Sequence, residues 1–241
     1  QRSGAAAPEA DIVGETTRHV VGRTVGAGGS GDSGLATATG VFLAMRAAAA
    51  HRWGVESLEG RAVGVEGVGK VGHHLVELLL EDGASVVVTD PSREATDRLR
   101  DLHGIAIEVL PSVLDAEVDV YAPCALGATL TSDSVGQLRA PLVCGAANNQ
   151  LGTPDIDHAL ADRGITWVPD YVANAGGLIQ VGGELWQHTP EQVMAGVRHI
   201  EATTREILEE AARAEITTGD AAARVVHKRL AGSAASARDA G

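Results

Sequence analysis

Along this chain the apolar positions keep changing period: short runs with the density of strands alternate with stretches in which they recur every three or four residues. From Leu35 to Trp53, the residues Val41, Phe42, Met45, Ala48, Ala49 and Trp53 recur at helical spacing, and Gly54 stops the helix. Arg61 to Val65 then reads as a strand, His74 to Leu80 as a helix after a glycine turn, and Ala84 to Val88 as the next strand. Ser92 can cap a helix running to Leu102, which His103-Gly104 ends. Ile105 to Leu110, Val118 to Ala122, Pro141 to Cys144 and Ile165 to Val168 are further strands, and Asp155 to Arg163 is helical. Strand and helix in alternation predict an α/β fold, a Rossmann-type doubly wound parallel sheet, with ligands at the carboxyl ends of the strands.

The last third is helical. Thr189-Pro190-Glu191-Gln192 is a capping box with Pro at the first helical position, and Val193, Val197, Ile200, Ile207, Leu208 and Ala211 mark one apolar face. Asp220 is placed to cap a second helix with Val225, Val226 and Leu230 inward and Gly232 past its end, leaving a frayed tail from Ser233. At the other end, Gln1 to Pro8 is polar and Ala-rich, a tail or a cut end. Gly26 to Gly34 reads either as a flexible Gly/Ser linker or as backbone that must pass close to a ligand. The expected organisation is a residual linker over 1–34, a dinucleotide-binding domain over 35–187, and C-terminal helices over 188–241 packing back on it.

Within that frame, Gly67-x-Gly69-x-x-Gly72 sits between a strand and a helix. The first glycine allows the turn, the second lets a pyrophosphate approach the backbone, and the third lets helix and strand pack closely. Asp90 ends the next strand about twenty residues on, where this fold places an acid for ribose hydroxyls. The competing reading is an ordinary strand-to-helix turn with a capping Asp. Asn149 and Asn174, at later strand ends, each offer one acceptor and two donors, which suits a carboxamide; each also suits a turn. Cys124 follows a strand-end Pro with no His or acid next to it in sequence, and reads as a small apolar residue against a ring rather than a nucleophile. The adjacent pair His73-His74 points about 100° apart on a helix and cannot share a metal, and the other histidines are scattered, so no metal site is expected. No Gly-x-Ser-x-Gly elbow supports hydrolysis.

Composition narrows the partners. With 241 residues, 44% of them hydrophobic, the chain can bury a real core, and a net charge of -13 without a Lys/Arg cluster argues against nucleic acid or an anionic membrane. No apolar run reaches about 18 residues. The two cysteines, Cys124 and Cys144, read as buried thiols of a reducing compartment, so a soluble cytoplasmic protein is expected.

Four motifs in order, Gly64 to Asp90, Ala122-Pro-Cys-Ala-Leu126, Asn148-Asn-Gln-Leu151 and Pro169-Asp-Tyr-Val-Ala-Asn-Ala-Gly-Gly177, together resemble the Glu/Leu/Phe/Val amino-acid dehydrogenases, nearest their valine and leucine members. The resemblance implies NAD as cofactor, with a branched-chain amino acid and its 2-oxo acid as substrates. It assigns the turn Gly67, Val68, Gly69, Lys70, Val71 and Gly72 to the cofactor and Asp90 to its adenosine ribose. Cys124, Ala125, Asn149 and Asn174 line the nicotinamide side, while Thr37, Leu178 and Val181 shape the substrate pocket. It also implies a homo-oligomer in the complete enzyme. The family's first domain carries a Gly-Gly-x-x-Lys motif with the catalytic Lys, a second Lys for the substrate carboxylate, and an Asp. This chain has two lysines, Lys70 and Lys228, and neither matches them. No catalytic residue is therefore assigned, and the chain is expected to start just downstream of the catalytic domain. A stand-alone NAD(H)-binding or sensing module, a partner subunit completed by another chain, and an imine reductase without a catalytic Lys are the other readings.

Overall fold

The computed structural model describes residues 7–17 and 19–239, so most of the polar start Gln1 to Pro8 lies outside the described residues. Two helices, α1 (Ala7–Gly14) and α2 (Gly34–Trp53), lead into β1 (Ala62–Glu66), α3 (Gly72–Glu81), β2 (Ser85–Thr89), α4 (Arg93–His103) and β3 (Ile107–Val109). The second half of the sheet region is β4 (Val120–Pro123), α5 (Ser132–Gln137), β5 (Leu142–Val143), α6 (Ile156–Asp162) and β6 (Thr166–Trp167). Four helices close the chain: α7 (Asp170–Ala173), α8 (Gly176–Trp186), α9 (Pro190–Ala214) and α10 (Thr218–Asp239).

All six strands are parallel, in the order β3-β2-β1-β4-β5-β6. The chain builds outward from β1 to one edge, returns, and builds from β4 to the other, so the order reverses between β1 and β4. That reversal opens a crevice at their carboxyl ends. Because the sheet is covered on both faces, its inner strands carry continuous apolar runs, such as Val86 to Val88 in β2, rather than alternating. Successive residues still go to opposite faces: Val120, Ala122 and Leu142 join the core under α2 and α3, whereas Tyr121 and Val143 join the one under α5 and α6.

Helix α2 runs through the middle of the first core. Its buried positions include Ala36, Ala38, Ala44, Ala47, Ala48 and Ala49, and such small side chains let neighbouring helices come close. The closest approach uses glycine: a Cβ on Gly176 would overlap the Ala36 carbonyl, and one on Gly40 would lie 2.9 Å from the Ala173 carbonyl. Helices α7 and α8, which follow β6, are thereby set against α2. Neither α5 nor α8 stands out in the sequence. Helix α8 carries Gly176, Gly177, Gly182 and Gly183, which weaken a helical pattern.

Ser92 caps α4 by accepting the Ala95 N–H, and Thr189 and Gln192 form their capping box at α9. Helix α10 departs from expectation at both ends. It starts at Thr218, with the Thr217 hydroxyl accepting the Asp220 N–H at 3.2 Å, so Thr217 and not Asp220 holds its first turn. It runs through Gly232 to Asp239, since one glycine costs a helix only about 1 kcal/mol relative to alanine and no stop follows. Val225 is buried (5% exposed), but Val226 (49%) and Leu230 (63%) face outward, because α10 packs on α9 through a narrow stripe.

The segment Gly26 to Gly34 is not free. Glu184 of α8 accepts the N–H groups of Gly22 (3.1 Å) and Ser30 (2.7 Å) and the Ser30 hydroxyl, and Gln180 donates to the carbonyls of Ser30 (2.9 Å) and Asp32 (3.2 Å). Gly34 is needed by the turn Gly67 to Gly72 itself, since its Cβ would lie 2.8 Å from the Lys70 carbonyl.

The contact between α2 and α8 gives a direct test. Gly176→Ala should destabilise the chain by about 2 kcal/mol or more, the cost of forcing an atom into a filled interface. Urea unfolding measures it, and an unchanged midpoint would show that the helices can separate freely.

Candidate functional site

The turn after β1 treats its three glycines differently. Gly67 has φ +94°, and a Cβ there would meet Ala125 at 2.7 Å. Gly72, the first residue of α3, has the Gly67 carbonyl where its Cβ would be. Gly69 has nothing within 4 Å of its missing Cβ and stays outside the positive-φ region. Two glycines are thus required by the protein's own packing, and the third borders open space. No side chain caps the N-terminus of α3, so its first N–H groups are not consumed by one. Val68 is buried and Val71 half-buried, while the exposed Lys70 ammonium lies 3.6 Å from Asp32.

Asp90 ends the neighbouring strand. One oxygen accepts the Val68 N–H at 2.9 Å and the other the Ser92 N–H at 2.8 Å, so its carboxylate joins the turn to the start of α4. Each oxygen keeps a lone pair for another donor.

Across the crevice, the Cys124 N–H donates to the Glu66 carbonyl at 2.7 Å. Burial of its sulfur pushes the Cys124 thiol up to about 12, so it stays a neutral thiol. That agrees with an apolar rather than a nucleophilic role. Asn149 is exposed with φ +53°, a turn position that Asn tolerates, and its N–H donates to Asp170 at 2.8 Å. Asn174 uses both amide protons internally, on the Ala146 carbonyl (3.1 Å) and on Asn148 Oδ1 (2.8 Å). It therefore presents one acceptor, where its composition alone offers an acceptor and two donors.

Sequence reasoning passed over two residues that shape this wall. Gln150 is 0% exposed and holds the loop after β5, and Asp170 is 7% exposed and holds Asn149. Burial pushes the Asp170 carboxyl upward, against the N–H it accepts from Asn149. The available signal was a polar residue beside an apolar one within a strand-end loop, Gln150 before Leu151 and Asp170 after Pro169.

An open cleft of about 900 Å³ lies between these loops and α8. Its walls bring together Thr37, Val71, Asn149, Asn174 and Leu178, five of the positions singled out from sequence. Val181, half-buried one turn further along α8, does not line it, nor do Cys124, Ala125 or Gly67 to Lys70. Thr37 spends its hydroxyl on the Ser33 carbonyl at 2.9 Å, and Leu178 is 74% exposed. Among the described residues, no Lys, Arg or His lines the cleft. Among the described residues there is no cluster of three His, Cys, Asp or Glu able to hold a metal, and no helix long and apolar enough to cross a membrane.

The strand order and the crevice at its reversal define a protein of the Rossmann class. The family model of the Glutamate/Leucine/Phenylalanine/Valine dehydrogenases matches residues 28–110 and 92–237. A valine dehydrogenase of Streptomyces virginiae is 48% identical over 223 residues, covering 91% of this chain and 62% of that protein. A leucine dehydrogenase of Bacillus subtilis is 37% identical, covering 94% and 62%. Among solved structures, the L-tryptophan dehydrogenase from Nostoc punctiforme matches with a TM-score of 0.81 at 37% identity, covering 84% of this chain and 62% of that one. The chain belongs to the Glutamate/Leucine/Phenylalanine/Valine dehydrogenase family. It spans about 62% of the length of the curated relatives it matches.

The unequal glycines yield a paired test. Gly69→Ala should leave stability within about 0.5 kcal/mol, as at an open surface position, yet weaken binding of a dinucleotide at least about tenfold by filling the approach to the turn. Gly72→Ala should instead lower stability by about 2 kcal/mol or more. Calorimetric titration and urea unfolding read the two effects, and equal behaviour of both variants would remove the distinction.

Proposed function

We propose that this chain is the cofactor-binding part of an NAD-dependent dehydrogenase acting on a branched-chain L-amino acid, in the reaction L-amino acid + NAD+ + water to 2-oxo acid + NADH + ammonium + H+. The observation that carries the reading is the pairing of an open backbone approach at Gly69 with the Asp90 carboxylate, both beside the crevice where the strand order reverses. Bound NAD supplies the hydride acceptor. The turn Gly67 to Gly72 takes the pyrophosphate against backbone N–H groups and the helix dipole. Asp90, already oriented by two N–H donors, offers its remaining lone pairs to ribose hydroxyls and would repel a 2′-phosphate. Ala125, Asn149 and Asn174 face the nicotinamide side with Cys124 as a small neutral neighbour. Thr37 and Leu178 give the substrate side chain an aliphatic wall, with Val181 behind it.

The cleft's lack of a cation sets the division of labour. Oxidative deamination needs a base to activate water at the imine carbon and a positive charge for the carboxylate. Lys70 is exposed and paired with Asp32, and Lys228 lies among Glu206, Glu210 and Arg224 between α9 and α10. By the family resemblance, those groups belong to a Lys-bearing domain. In this proposal residues 1–34 are the linker to it, 35–187 the dinucleotide-binding domain and 188–241 the helices that brace it. The complete enzyme is a cytoplasmic homo-oligomer with no nucleic-acid or membrane partner. The same empty wall also favours a second reading, an NAD(H)-binding module or partner subunit without activity of its own.

The chain alone should bind NADH and should not turn over valine or leucine with NAD. Joined to a Gly-Gly-x-x-Lys domain of its family it should do so, and continued inactivity of that fusion would favour the module. Turnover by the chain alone would refute the division proposed here. Cofactor choice supplies a further test: Asp90→Ala should shift the NADP-to-NAD affinity ratio upward about tenfold as a like-charge repulsion is removed. An unchanged ratio would refute the role of Asp90.

A further inference from the structure

Gln150 is a fully buried polar side chain behind the cleft wall, between the lining residues Asn149 and Leu151, and nothing assigned so far uses it. Its Nε2 donates to the carbonyls of Gly145 (3.0 Å) and Ala147 (3.1 Å), and its Oε1 accepts the indole N–H of Trp167 at 3.0 Å. One amide thus folds the loop after β5 onto itself and ties it to β6. The carbonyl between the two that it holds, that of Ala146, points elsewhere and accepts from Asn174 Nδ2 at 3.1 Å. A backbone carbonyl can only accept, so this contact fixes which end of the Asn174 amide is nitrogen. With Asn148 Oδ1 taking the second proton at 2.8 Å, what Asn174 has left is its oxygen.

We infer that Gln150 is a positioning residue for the nicotinamide side of the cleft: by holding the Gly145 and Ala147 carbonyls it places the Ala146 carbonyl, which orients Asn174 as an acceptor for a ligand N–H. The inference rests on the cofactor reading above and sharpens it. The adenosine side, Gly69 and Asp90, lies just past the ends of β1 and β2, and the Gln150 side chain bonds to neither. A fault at Gln150 therefore acts on one half of a dinucleotide and leaves the other alone, which a general loss of structure would not do.

The test compares NADH with ADP-ribose, which lacks the nicotinamide, on the same chain. Gln150→Met keeps the length and removes the amide. It should weaken NADH about tenfold, the range expected when buried polar partners lose their bonds, and leave ADP-ribose within about twofold. Equal weakening of both ligands, or none for NADH, overturns the inference. Should the Met variant not fold, Gln150→Glu decides. Its buried carboxyl is held in the acid form at low pH and regains one donor there, whereas the carboxylate has none. NADH affinity relative to ADP-ribose should then fall as pH rises, and a flat ratio overturns the inference. If the unsubstituted chain binds neither ligand, the cofactor reading fails and takes this one with it. If it binds both and the variants keep its ratio, only the role of Gln150 is lost.

Discussion

The contact on which the rest of the site depends is between the two outer glycines of one turn: the Gly67 carbonyl occupies the place of a Cβ on Gly72. It brings the start of α3 hard against the end of β1. From there the neighbours follow. Gly67 rests on Ala125, which fixes the end of β4, and the Val68 N–H reaches Asp90, which fixes the end of β2. Close packing of backbone on backbone leaves no slack to absorb a methyl group. A turn of six residues thereby sets the relative positions of three strand ends, and the open space above Gly69 is what remains when they are in place.

How much of this was legible in the sequence depends on what kind of force shaped each part. Strands β1, β2 and β4 were readable because a parallel sheet buried on both faces writes itself as runs such as Val63 to Val65 and Val86 to Val88. The fingerprint was readable because only glycine satisfies a positive φ at Gly67 and the contact at Gly72. Helix α8 was hidden because its glycines serve contacts with distant residues, Gly176 with Ala36 and Gly177 with Thr37, that no local pattern reports. The same holds for Val226 and Leu230, whose apolar character suggested a buried face that α9 is too narrow to cover. Gln150 was hidden for the opposite reason. A buried polar residue is defined by its partners, and those lie on β6 and on its own loop.

The electrostatics of the site favour geometry over stability. Burial raises the Asp170 carboxyl, so the folded chain binds that proton more readily than the unfolded one. Stability tied to such a group is fully present below the unfolded value and is lost as pH rises through the folded one. Once ionised, Asp170 is a desolvated charge that weakens the fold, and in return it fixes the Asn149 N–H at 2.8 Å. Cys124 shows the same environment acting on a thiol, where burial simply keeps it neutral. A wall built this way can orient a ligand but offers little to drive proton transfer, which agrees with the absence of Lys, Arg and His from the cleft.

Helix α8 joins the two halves of that picture. Its first turn lines the cleft through Gly177 and Leu178, and one to two turns on, Gln180 and Glu184 hold the glycine-rich segment from Gly22 to Asp32. The segment in turn touches the fingerprint, through Gly34 against Lys70 and through the Asp32–Lys70 pair. A closed circuit results: turn, glycine segment, α8, cleft wall and back across β1 and β4 to the turn. Hydrogen bonds onto a single carboxylate, that of Glu184, make one of its links. The glycine content that suggested a loose linker therefore belongs to a segment held by α8 and by the turn, and at Gly29 and Gly34 a side chain would collide with the Arg23 and Lys70 carbonyls.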